Sequence, residues 1–181
     1  MQLSIVRAWP RLVYIFRVGS VTTSDPTFDT MDYAIRRLTT GDEPILWEIL
    51  YQALHTSEVG PARDAVKRPE FARYVDGWGR PDDAGFVAHD TESGQLLGAV
   101  WMRRLSDQPD APPDLAFGVK PGLRRRGIGA ALLTQLVKAY PEQSTISIRA
   151  SANNPTVRLY ERFGFKIVKE SKHSVTMRRE T

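Results

Sequence analysis

LAFGVKPGLRRRGIGA, residues Leu115 to Ala130, decides the fold. Leu115, Phe117 and Val119 alternate with the small Ala116 and Gly118, the pattern of a strand with one face on a core. Lys120-Pro121-Gly122 breaks that strand. Helical spacing resumes at Gly127 and buries Leu132, Leu133, Leu136, Val137 and Tyr140 before Pro141 closes the helix. Strand, basic loop and helix start follow one another directly. The first backbone N–H groups of a helix have no intrahelical acceptor and lie at the positive end of its dipole, so such a turn attracts anions. Gly127 and Gly129 let a ligand reach the main chain with no Cβ in the way. No acid occurs between Asp114 and Glu142, whereas Lys120, Arg124, Arg125, Arg126 and Lys138 are basic. That field favours a polyanion, most simply a diphosphate.

Spacing separates the known phosphate loops. Gly122 and Gly127 have P-loop spacing, but Ile128 and Gly129 follow where a Lys and a Ser or Thr must reach phosphate and Mg²⁺. Gly127-Ile128-Gly129 opens like a dinucleotide fingerprint, yet Leu132 stands where a small residue is needed, and Arg149 lies where an acid should, ~20 residues on. What remains is Arg-x-x-Gly-x-Gly, spelled Arg124-Arg125-Arg126-Gly127-Ile128-Gly129, after a strand ending in Val119. In this the sequence resembles the GNAT superfamily of acyl-CoA-dependent N-acyltransferases, which bind the CoA diphosphate with this turn.

A second stretch tests the resemblance. Asn153 to Phe165, NNPTVRLYERFGF, reads as a helix with Asn at its N-cap, Pro155 in the first turn and Gly164 as its stop. Val157, Tyr160 and Phe163 share one face, so from spacing alone Tyr160 is one more core aromatic. GNAT enzymes carry an Asn, a Leu-Tyr pair and a Gly-Phe pair in this order after the fifth strand. Asn153 or its neighbour Asn154, Leu159-Tyr160 and Gly164-Phe165 match them. The resemblance covers about residues 31–179 and is densest from Asp114 to Phe165.

The 181 residues, 41% of them hydrophobic and 25% charged, suffice for one well-filled core and are few for two. The chain has no cysteine, which excludes disulfides, thiolate metal sites and a cysteine nucleophile, and fits a cytoplasmic setting. His55, His89 and His173 show no metal-ligand spacing, so no metal is expected. The net charge of +4 invites a nucleic-acid reading, but glycines right after the arginines suit a phosphate at a helix start, and no aromatic RNA motif accompanies them. No apolar run approaches the ~20 residues that a bilayer crossing needs.

Along the chain, residues 1–30 differ from the rest. Arg7, Arg11 and Arg17 flank the apolar Leu12 to Phe16, too short a run for a secretion signal; a short strand or membrane-touching segment competes with the preferred reading, an extension upstream of a domain at 31–181. Tyr33 to Leu38 reads as a strand, and Gly41-Asp42-Glu43-Pro44 starts a helix that runs to about Leu54. Pro69 to Gly77 reads as a second helix. Gly85 to His89 and Leu96 to Arg103 form a hairpin; Thr145 to Ala150, Phe165 to Val168 and Ser174 to Arg178 complete an α/β domain of six or seven strands. The resemblance makes that sheet mixed and mostly antiparallel, flanked by about four helices.

The resemblance also implies chemistry: an acetyl group passing from acetyl-CoA to a primary amine of a small molecule or peptide, with a homodimer left open. The backbone from Arg124 through Ile128 to Ala130 would bind the diphosphate, helped by the three Arg side chains. Phe117 and Val119 would pair with the pantetheine arm, and an N–H near Val119 would face the thioester carbonyl. Asn153 would hold the arm, and Tyr160 would give the leaving thiolate its proton. Asp114 is the candidate base, set against a loop-end acid bound only to solvent. A CoA-binding sensor without chemistry is the alternative, and Trp47, Tyr51, Tyr74 and Trp78 could border the acceptor or simply fill the core.

Overall fold

The alternation at Leu115 belongs to the fourth strand of a seven-stranded sheet in a computed structural model that describes residues 32–54, 63–108, 110–148, 155–171 and 175–179. The extension at 1–30 and the Asn153-Asn154 pair lie outside the described residues. The strands are β1 (Tyr33–Arg37), β2 (Ala84–Asp90), β3 (Leu96–Arg103), β4 (Asp114–Val119), β5 (Thr145–Ile148), β6 (Phe165–Glu170) and β7 (Val175–Arg179). They lie in the order β1-β2-β3-β4-β5-β7-β6, and only the β4/β5 pair is parallel. The helices are α1 (Glu43–Leu54), α2 (Pro69–Ala72), α3 (Ile128–Ala139) and α4 (Pro155–Glu161). A parallel pair needs a crossover, and α3 supplies it between β4 and β5. The basic loop therefore sits at the carboxyl end of a strand, where helix N-termini gather.

Alternation along β4 sorts its side chains between two cores. Leu115 and Val119 pack with Ile128, Leu132, Leu133 and Leu136 of α3 and with Val157 and Tyr160 of α4. On the other face Leu46, Ile49 and Leu50 of α1 meet Val75, Trp78, Val87, Ala99 and Trp101. Gly118 permits that second contact, because a Cβ there would lie 2.8 Å from Ile49 Cγ2 and 3.1 Å from its carbonyl oxygen. Tyr74 and Trp78 are core residues, whereas Trp47 and Tyr51 are half-buried. Asp42 anchors the start of α1: Arg36 grips its carboxylate with two hydrogen bonds of 2.7 and 2.8 Å, and Thr39 N–H adds one of 2.7 Å. The Arg36 hydrogen bond, above all, holds the Asp42 carboxyl at about 2 against the cost of burial.

The second helix is shorter than Pro69 to Gly77, the span its sequence predicts. It ends at Ala72, and the chain continues through turns to Gly77, which has φ +64°. A buried arginine explains the difference. Arg103 is wholly buried and uses every donor it has. Nε and Nη2 grip Asp83 at 2.8 and 2.6 Å, while Nη1 and Nη2 also bond the carbonyls of Arg73, Asp76 and Gly77 at 3.2, 2.8 and 3.0 Å. Those carbonyls turn toward the guanidinium instead of continuing a helix. Burial alone would raise the Asp83 carboxyl, but Arg103 and the N–H groups of Gly79 and Arg80 outweigh it and hold it below the usual carboxylate value. Removing one partner of such a pair strands the other charge in the interior. Chemical denaturation of Arg103→Leu is expected to show a loss of about 3–5 kcal/mol; a loss under about 1 kcal/mol, the range of an exposed pair, would contradict this role.

Candidate active site

Gly127 caps α3 in left-handed backbone, φ +80°, and the first helical hydrogen bond runs from Ala131 N–H to Gly127. From Arg124 through Ala130, no backbone N–H donates to a described residue. Arg125 also has a left-handed backbone, φ +65°, which disfavours a residue with a Cβ. Alternation between left- and right-handed residues turns successive N–H groups into one concavity, the geometry of an anion nest. Arg124, Arg125, Arg126 and Gly127 are exposed, and no side chain caps the helix. The run thus holds N–H donors with no described acceptor, the first four of its residues exposed and three of them arginines.

The strand before it leaves part of one edge without a described strand partner. Lys120 N–H bonds the Leu97 carbonyl, and the β3/β4 register carries this alternation back along β4. Gly118 and Ala116 therefore spend their main-chain groups on β3, while Val119 and Phe117 turn theirs the other way. On that side β4 pairs with β5 only at Asp114 and Leu115 among the described residues. An arginine side chain, Arg124 Nε, meets the Val119 carbonyl there at 3.2 Å. Phe117 explains Gly129: a Cβ on the glycine would lie 2.7 Å from Phe117 Cζ, so the ring rests on the first turn of α3. Packing against Phe117 thus gives Gly129 a structural reason of its own.

Tyr160 faces the core formed by α3 and β4, is fully buried, and meets the Phe165 ring edge-on at 6.3 Å between centroids. Its hydroxyl has no hydrogen-bond partner among the described residues. Burial pushes that hydroxyl well above the usual tyrosine value, so it stays protonated. Asp114 begins β4 on the opposite face. It is not bound only to solvent: Tyr74 Oη lies 3.5 Å from its Oδ1, and Ser147, its register partner on β5, hydrogen-bonds it. Burial raises its carboxyl above the usual carboxylate value, against the opposing effects of Arg73, Ser147 and Tyr74. The basic loop, the edge of β4 and Tyr160 thus border one core, and Asp114 points toward the turns that follow α2.

The family model for the acetyltransferase (GNAT) family matches residues 47–165, which include the loop, both faces of β4 and Tyr160. The chain belongs to the GNAT family. Its curated relatives include the mycothiol acetyltransferase of Mycobacteroides abscessus, 32% identical over 99 residues, 52% of this chain and 33% of that protein. A mycothiol acetyltransferase of a Mycobacterium species (strain JLS) is 32% identical over 94 residues, 48% of this chain and 31% of its own length. The chain thus spans only about a third of the length of these relatives when aligned. Among solved structures, the PaiA N-acetyltransferase of Thermoplasma acidophilum in complex with coenzyme A superimposes with a TM-score of 0.61, at 17% identity over 83% of this chain and all of that one (100%). The phosphinothricin acetyltransferase of Sinorhizobium meliloti in complex with AcCoA gives 0.56, at 18% identity over 81% of this chain and 87% of its own. These likenesses establish the GNAT fold.

Two residues of the candidate site carry no mark in the sequence, and a third, Tyr74, stands open there between bordering an acceptor and filling the core. Ser147 is one polar residue in an alternating strand, and Gln52, whose carbonyl meets Arg124 Nη2 at 3.3 Å, lies in the last turn of α1. Ser147 and Tyr74 meet at Asp114, at the start of β4, and Gln52 meets Arg124 beyond its other end; only the β5 register could have been guessed. Among the described residues there is no metal-binding cluster and no helix long and apolar enough to cross a membrane. A buried hydroxyl without a partner costs about 1–3 kcal/mol. Denaturant unfolding of ligand-free Tyr160→Phe is therefore expected to show stability equal to or above that of the native protein; a loss above about 1 kcal/mol would mean that the hydroxyl has a partner after all.

Proposed function

We propose that this GNAT protein is an N-acetyltransferase that passes an acetyl group from acetyl-CoA directly to a primary amine. The observation that carries the reading is the run of unspent amides from Arg124 to Ala130 at the head of α3. A helix start with free N–H groups under three arginines suits a diphosphate, the part of CoA with the highest charge density. The coenzyme A and AcCoA complexes of its structural neighbours support the same ligand.

Bound acetyl-CoA supplies the thioester whose carbonyl carbon the amine attacks. The outward main-chain groups of Val119 and Phe117 would hold the pantetheine arm as if it were an added strand. That arm carries two amides in series and is longer than one strand residue, so the reacting carbonyl lies past Val119. Phe117 N–H is then the better-placed donor to the carbonyl oxygen as negative charge builds there. Asp114 would take the proton from the amine; its raised carboxyl is a stronger base than an exposed aspartate. Tyr160 would pass its hydroxyl proton to the thiolate sulfur, and burial keeps that proton in place until the sulfur gains charge. Asp114 and Tyr160 lie on opposite faces of the sheet, which suits transfer in one complex, where the proton leaves the nucleophile on one side and reaches the leaving group on the other. Asn153 would steady the arm. The acceptor is a small-molecule or peptide amine, as in the acetyltransferases this chain resembles.

Acetyl-CoA is expected to raise the melting temperature of the protein, and a panel of amines read by thiol release is expected to contain an acceptor. For Tyr160→Phe, turnover is expected to fall about 10²–10⁴-fold while CoA affinity stays within a few-fold. Unchanged turnover would remove Tyr160 from the proton-donor role. Binding of acetyl-CoA with no amine acetylated would instead favour a CoA-binding module without chemistry.

A further inference from the structure

Arg124 opens the diphosphate loop and is exposed, but its guanidinium reaches back to two main-chain carbonyls. Nε donates to the Val119 carbonyl at 3.2 Å, and Nη2 donates to the Gln52 carbonyl at 3.3 Å. The first acceptor is the last main-chain oxygen that β4 turns away from β3. The second is one of the final four carbonyls of α1, which lack intrahelical partners and carry the negative end of the helix dipole. A cation there caps the helix. Gly118 brings the two acceptors within reach of one guanidinium, because it lets Ile49 and Ala53 of α1 settle directly on the end of β4.

We propose that Arg124 is a positioning residue that couples filling of the donor groove to the seating of the C-terminal turn of α1. The inference rests on the donor site argued above. A guanidinium has five N–H donors in a rigid fork. The two on Nη1 of Arg124 donate to no described residue, so they are free to meet an incoming diphosphate oxygen while Nη2 keeps Gln52. An arm pairing with β4 needs the Val119 carbonyl, and Nε gives it up. Arg124 thereby exchanges one protein acceptor for a charged ligand oxygen, a stronger hydrogen bond, and its hold on α1 tightens. Arg125 and Arg126 donate to no described residue through their side chains, so they offer charge without this link. Lysine at 124 would keep the charge but could not span both carbonyls.

The test is hydrogen exchange across Tyr51 to Leu54, with and without CoA, at concentrations that saturate each variant. In the native protein, CoA is expected to slow exchange in that turn at least threefold. In Arg124→Met and in Arg124→Lys, CoA still binds, more weakly, but the slowing is lost. In Arg125→Met binding weakens and the slowing remains. An equal response in Arg124→Met, or CoA binding to the native protein with no response in α1, would overturn the coupling and leave the donor site standing. Failure of the native protein to bind CoA at all would overturn the donor site, and the coupling with it.

Discussion

Main-chain N–H groups without a protein acceptor are tolerable only where water or a ligand takes them. From Arg124 to Ala130 the chain keeps N–H groups with no described acceptor together, using left-handed backbone at Arg125 and Gly127. Other features of the site follow from that constraint. The loop must leave a strand and enter a helix in a few residues, so it sits at the crossover of the one parallel pair, β4 and β5. The helix must lie close to the strand, and Gly129 under the Phe117 ring provides for that. The register of the strand with β3 turns the main-chain groups of Phe117 and Val119 outward beside the loop.

The opposite face is held by a different means. The turns from Arg73 to Arg80 have little regular structure, yet they carry Tyr74 to the Asp114 carboxylate. Arg103 fixes them from beneath by binding three of their carbonyls and the Asp83 carboxylate, and Trp101 Nε1 adds a bond to the Tyr74 carbonyl at 2.9 Å. The donor side therefore keeps its polar groups free, whereas the Arg103 clamp beneath the candidate base has its polar groups spent.

Much of this was legible in the sequence because its signals are local. Alternation at Leu115 to Val119, the break at Lys120-Pro121-Gly122 and the glycines at 127 and 129 define strand, loop and helix within sixteen residues, and the sheet and its helices follow as expected. What escaped depends on contacts between distant residues. Arg103 looked like the last residue of a strand, since its partners lie 20 to 30 residues earlier. The end of the second helix is hidden for the same reason: spacing reports which face is apolar, and a guanidinium taking the carbonyls leaves no periodic trace. The roles of the arginines also diverged. Charge counting treats Arg124, Arg125 and Arg126 alike, but among the described residues Arg124 alone of the three bonds main-chain carbonyls, those of Val119 and Gln52.

The account stands or falls on whether the amides at the head of α3 receive the ligand. Amide chemical shifts of ¹⁵N-labelled protein, followed while CoA is added, measure this directly. The largest shifts are expected from Arg124 to Ala130, with a second set at Phe117 and Val119 along the outer edge of β4. Saturable shifts confined to other parts of the molecule, with these amides unmoved, would contradict it.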